Sequence, residues 1–111
     1  MRRIVCVGLA SLMLFGCGRE TREERAERLC LDTSWAWTMA QRYVKERLAS
    51  PSSASFPYKP VHVERLHGCT HRLTGEVEAK NAFGVQLKKY FSVTITYNKG
   101  DDTWSGSDLS M

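Results

Sequence analysis

Between Ser50 and Val61 the hydrophobic pattern changes its period, and this change limits the folds open to the chain more than any other feature. Before it, Ala36, Ala40, Tyr43, Val44 and Leu48 recur at intervals of three and four, with Trp37 and Met39 at the edges of the stripe. That spacing predicts an amphipathic helix of about fifteen residues, with Asp32, Thr33 and Ser34 as candidate N-caps and Ser50-Pro51 as its stop. Trp35 and Trp37 lie roughly 160° to 200° apart on such a helix, so only one of them can face a core.

After the change, apolar residues alternate. Val61 and Val63 share one face of a short strand, and Leu73, Gly75, Val77 and Ala79 share one face of a second. In "VQLKKYFSVTITYN", the clearest strand of the chain, Phe91, Val93, Ile95 and Tyr97 point inward. Asn81 to Gly84 supply the turn between these last two. "KGDD" turns into a final strand carrying Trp104, with Gly106 expected to weaken or bulge that edge. The intervening "SPSSASFPYKP" holds three prolines and four serines and reads as a loop, with Phe56 and Tyr58 packing back as anchors. The expected fold is therefore α+β, one amphipathic helix packed on a three- to four-stranded antiparallel meander sheet.

The N-terminus obeys a different logic. Arg2 and Arg3 precede an apolar run from Ile4 to Phe15, which ends at Gly16. The order of charge, apolar run and small residue is that of an export signal. The run is too short for a membrane span, which needs about 20 apolar residues. Leu14-Phe15-Gly16-Cys17 resembles the lipobox of bacterial lipoproteins. The resemblance implies cleavage after Gly16 and acylation of Cys17, where each buried CH₂ of the lipid contributes about 0.8 kcal/mol to anchoring. In such lipoproteins an Asp after the cysteine favours retention in the inner membrane. Gly18 stands there instead, which implies the outer membrane, on its periplasmic face.

On this reading residues 1–16 are a signal peptide, 17–31 a lipidated N-terminus and charged tether, and 32–111 a small α+β domain. Removing 16 of 111 residues leaves 95, and the loss of Arg2 and Arg3 lowers the net charge from +4 to +2. The remaining positive charge is scattered, so no nucleic-acid partner is expected. The tether "RETREERAER" carries both signs, with Thr21 and Glu24 spaced as a capping box and only Ala26 suited to burial.

If Cys6 leaves with the signal and Cys17 is acylated, as the resemblance implies, Cys30 and Cys69 are the thiols left in the domain. In an oxidising compartment such a pair is expected to form a disulfide, worth about 4 kcal/mol in the chain-entropy treatment for a loop of this length. A second reading stands beside it. His67, Cys69 and His71 alternate, so on a strand they share a face, and with Cys30 they would make a tetrahedral zinc or copper(I) set. The plain alternative is a disulfide flanked by two solvated histidines.

"YVKERLASPSSASFP" and "GEVEAKNAFGVQLKKYFSVTITY" resemble small uncharacterised bacterial envelope domains, in which a helix runs into Lys-x-x-Leu-x-Ser-Pro-Ser-x-Ala-x-Phe-Pro and a later strand enters an Asn-x-Phe-Gly turn. Lys45, Leu48, Ser50, Pro51, Ser52, Ala54, Phe56, Pro57, Asn81, Phe83 and Gly84 carry the match. No chemistry attaches to that pattern, so it implies a fold only.

Residue patterns for catalysis are absent from the sequence: it has no Gly-x-Ser-x-Gly elbow, no phosphate-binding glycine loop and no His-Glu-x-x-His helix. Glu76 and Glu78 point the same way on a strand, as solvated outer-face residues do. The expectation is a non-enzymatic, cofactor-free lipoprotein, tied to the membrane through Cys17. It would bind another envelope protein through the sheet's outer face or an open edge strand. A metal-binding lipoprotein using His67, Cys69, His71 and Cys30 is the alternative.

Overall fold

The computed structural model describes residues 20–111. In chain order these form helix α1 (Arg22–Leu31), helix α2 (Thr33–Lys45), a 3-10 turn (Pro51–Ser53) and strands β1 (His62–Arg65), β2 (Thr70–Lys80), β3 (Gln86–Asn98) and β4 (Thr103–Ser110). The strands make one open sheet in the order β1-β2-β3-β4, every neighbour antiparallel. The α+β meander is thus present with four strands, but it carries two helices where one was expected.

Both helices owe their starts to side-chain caps. At α1, Thr21 Oγ1 accepts from the Glu24 amide at 3.0 Å and Glu24 Oε1 accepts from the Thr21 amide at 2.8 Å, the reciprocal pair that the sequence spacing suggests. Asp32 separates the two helices. Its backbone is extended, its amide donates to the Leu29 carbonyl, and its carboxylate accepts from the amides of Ser34 and Trp35 at 2.9 and 3.1 Å. One residue thereby ends α1 and starts α2.

The segment expected to be a solvated tether through residue 31 is packed from α1 onward. Leu29 and Cys30 are buried with Cys69 and Tyr97, and Ala26 is partly buried against them. Ala26, Leu29 and Cys30 are spaced as one narrow stripe of a helix, which the flanking charges obscure in the sequence. Two surface ion pairs tie the same helix to the β3–β4 turn, Arg25 to Asp102 at 3.0 Å and Lys99 to Glu27 at 3.1 Å. Exposed pairs add little, so burial and the covalent link described below hold α1 in place.

The main core lies between α2 and the inner face of the sheet. Ala36, Trp37, Ala40 and Val44 meet Leu73, Val77 and Ala79 from β2 and Phe91, Val93 and Ile95 from β3, all buried. The Trp37 and Phe91 rings stack at 6.0 Å, and Phe56 stands edge-on to both at 6.1 and 6.2 Å. Trp35 is exposed, as the helical angle between the two tryptophans requires. α2 ends at Lys45, short of Leu48, and Leu48 packs against the core from the turn that follows.

The serine-proline loop follows the sheet closely. The Ser55 amide and carbonyl pair with Glu78 at 2.8 and 3.0 Å, and Ser53 Oγ accepts from the Lys80 amide at 2.8 Å. The Pro57 carbonyl accepts from Trp37 Nε1 at 3.3 Å. The loop thus satisfies part of the β2 edge beyond the end of short β1, a structural role for the Ser-Pro-Ser-x-Ala-x-Phe-Pro run. Phe56 is the anchor that was expected, whereas Tyr58 is 91% exposed and anchors nothing. The edge irregularity expected at Gly106 falls between Ser92 and Thr94 of β3, beside Asp108 of β4 at φ 51°. Gly106 itself pairs with Ile95, and a Cβ there would come within 2.5 Å of the Tyr43 ring, so its missing side chain seats Tyr43.

Candidate functional site

The two thiols expected to pair do so: Cys30 and Cys69 form a disulfide across 39 positions of sequence, joining the last turn of α1 to the start of β2. Cys17 lies outside the described residues. The four candidate metal ligands do not assemble. Gly68, at φ 54°, turns the chain before β2 begins at Thr70, so His67 sits on an exposed turn and the alternation assumed for His67, Cys69 and His71 is broken. Among the described residues, no three His, Cys, Asp or Glu side chains are placed to hold a metal ion.

His71 departs from expectation in another way. It is 2% exposed, on the inner face of β2 between Arg65 of β1 and Ile95 of β3, and its Nδ1 has no hydrogen-bond partner. Burial, and then the nearby Arg65 charge, push its pKa below the ordinary 6.5. It is a neutral core histidine, not a solvated one. The signal for this was its place in phase with Leu73 and Val77, which its polar identity masks.

The opposite face of the sheet is covered by no described element. Cross-strand register sets two rows over all four strands, His62-Thr74-Ser92-Ser110 and Glu64-Arg72-Thr94-Ser107, with Thr70-Thr96-Ser105 beside them. Arg72 Nη1 donates to Thr94 Oγ1 at 2.8 Å, and the Thr70 and Thr96 hydroxyls are hydrogen-bonded at 3.1 Å. The result is a field of hydroxyls around one oriented guanidinium. Such a face offers donors and acceptors to a partner surface and contains no acid, base or nucleophile held in a cleft. Glu76 and Glu78 stand on this same face opposite Tyr90 and Lys88, in cross-strand pairs.

Toward the β2–β3 turn the chemistry changes. Residues 82–90 are all exposed, and a small cleft of about 130 Å³ on the inner side is lined by Leu48, Val77, Ala79, Leu87 and Met111, with Arg47, Lys80 and Lys89 around it. An open groove of about 800 Å³ runs along α2 beside Phe56 and Tyr58.

Among the described residues, no helix is long and apolar enough to cross a membrane. No protein-family model, curated protein or solved structure matches the chain.

Proposed function

We propose that the chain is a lipid-anchored protein of the bacterial envelope, held by acyl chains on Cys17 at the periplasmic face of the outer membrane. It acts without catalysis, as a binding or structural module for another envelope protein. The address rests on Leu14-Phe15-Gly16-Cys17 and is consistent with a disulfide that needs an oxidising compartment. The binding role rests on one observation, the uncovered hydroxyl face with Arg72 at its centre. In the rows around Arg72, Thr and Ser side chains able to pair with a partner's polar groups outnumber the charged ones, while Glu76, Glu78 and Lys88 bring charge to the same face farther along β2 and β3.

Two measurements test the two halves. Intact mass of the protein purified from envelopes should show a chain beginning at Cys17 with added acyl mass, and Cys17→Ser should release it from the membrane fraction. An unmodified Cys17 would remove the anchor. For the binding role, a photocrosslinking residue placed at Thr74 or Ser107 should capture one envelope protein, while the same residue at exposed Thr38 on α2 should not. Capture from all three positions alike, or from none, would rule out the sheet face as the binding surface.

A further inference from the structure

The β2–β3 hairpin extends past everything that covers the sheet, and its turn holds one residue the turn does not need. Asn81 Oδ1 accepts from the amides of Phe83 and Val85 at 2.9 and 3.0 Å, and Gly84 supplies the left-handed position at φ 81°. Those two residues complete the turn. The Phe83 side chain contributes nothing to it and the residue is 89% exposed, and Val85 beside it is 51% exposed. Lysines surround this apolar tip. From residue 80 to residue 98 the chain holds Lys80, Lys88 and Lys89 and not one Asp or Glu, and the carboxylate next in register is Glu78, across from Lys88. Among the described residues, none of the three lysines near the tip has a carboxylate within 4.0 Å.

We propose that this hairpin docks into an anionic phospholipid surface, with Phe83 and Val85 entering the boundary between headgroups and acyl chains and Lys80, Lys88 and Lys89 meeting the lipid phosphates. Charge complementarity and residue type choose this occupant over a protein. Protein interfaces are depleted in lysine. A bilayer surface favours it, because the long stem lies along apolar material while the ammonium stays with the phosphates. The tip is also convex, so it suits insertion into a fluid surface better than docking on a rigid one. This contact is separate from the proposed lipid on Cys17 and does not depend on it.

The test uses the full chain with Phe83→Trp, reconstituted into vesicles whose acyl chains carry bromine, with the unsubstituted chain as background for Trp35, Trp37 and Trp104. In vesicles containing phosphatidylglycerol, emission from position 83 should be quenched by half or more. In phosphatidylcholine vesicles the quenching should be small. Each lysine near an anionic surface contributes about fivefold to partitioning, so Lys88→Glu with Lys89→Glu should lower it by more than twentyfold. Should that variant fold poorly by thermal melting, raising the salt on the Phe83→Trp chain tests the same charge term, and quenching should fall. No quenching in anionic vesicles, or equal quenching in neutral ones, overturns the proposal. Because the readout is the depth of residue 83, it succeeds or fails independently of acylation at Cys17, which mass measurement decides.

Discussion

Gly75 of β2 and Trp37 of α2 fill one space: a Cβ added at Gly75 would lie 2.5 Å from the Trp37 ring and 3.0 Å from Phe91. The absence of a side chain in the middle of a strand is what lets the tryptophan lie flat on the sheet. Gly75→Ala is therefore expected to lower stability by about 1–3 kcal/mol, through displacement of a ring that is 5% exposed and locked by its neighbours. Urea denaturation measures it. A stability equal to the parent's would mean that Trp37 is free to move and that the stacked arrangement is not what holds α2.

Reduction should loosen α1 before the sheet. The Cys30–Cys69 bridge closes a long loop, and its loss is expected to cost about 4 kcal/mol. Cys30→Ser with Cys69→Ser should bring trypsin cleavage at Arg25 and Arg28 well ahead of cleavage in the strands. Thiol titration of the unreduced protein should find neither residue free. Uniform cleavage along the chain would show that α1 and the sheet unfold together.

His71 gives the fold a mild acid sensitivity. Its pKa is lowered by burial and by Arg65, so the folded protein binds this proton less readily than the unfolded chain does. Stability from this group is complete above about pH 6.5 and declines as pH falls from there toward the lowered folded value. The urea midpoint should drop between about pH 7 and about pH 5, and His71→Leu should flatten that slope. Asp102 acts in a lower window. The Tyr97 hydroxyl, donating at 2.6 Å, and then Arg25 hold its carboxyl below the ordinary 3.8. Its contribution is present above that value and is lost as pH falls through the depressed one.

The β2–β3 turn separates residues that shape it from the one that does not. Gly84→Ala forces a side chain into a left-handed position and is expected to cost about 1 kcal/mol. Phe83→Ser, at a site that packs against nothing, should change stability by no more than about 0.5 kcal/mol. A large loss at Phe83 would mean that its ring supports the hairpin after all.

Much of this architecture is legible in the sequence because period two and period 3.6 impose different spacings on the same apolar residues. The inward set Phe91, Val93, Ile95 and Tyr97 and the rule that Trp35 and Trp37 cannot both be buried follow from spacing, and the Asn81–Gly84 turn follows from its residue types. What spacing does not show is depth. His71 sits in phase with Leu73, but a polar ring in that position reads as solvated. In α1, the stripe of Ala26, Leu29 and Cys30 beside six charged residues reads as a tether, because a narrow stripe carries little weight against the charge around it. Tyr58 fails for the opposite reason, since an aromatic ring two residues after Phe56 finds the core already filled. The outer-face rows need cross-strand register, which no single segment contains.

The packing of α1 also shortens the leash. α1 is packed from Arg22, and Glu20 and Thr21 are already bonded to Arg28 and Glu24, so the proposed acylated Cys17 stands only five positions before the helix, a length of chain that spans no more than about 18 Å at about 3.6 Å per residue. A tether running through residue 31 would have reached roughly three times as far. β3 alone, with 13 residues, is about 44 Å long, and α1 is tied to the turn at its far end from Phe83. If Cys17 is the anchor, as proposed, a domain on so short a leash would stay close to the lipid. With the proposed anchor at one end of β3 and the proposed docking of Phe83 at the other, the sheet would lie along the bilayer, and a partner would meet it close to the lipid.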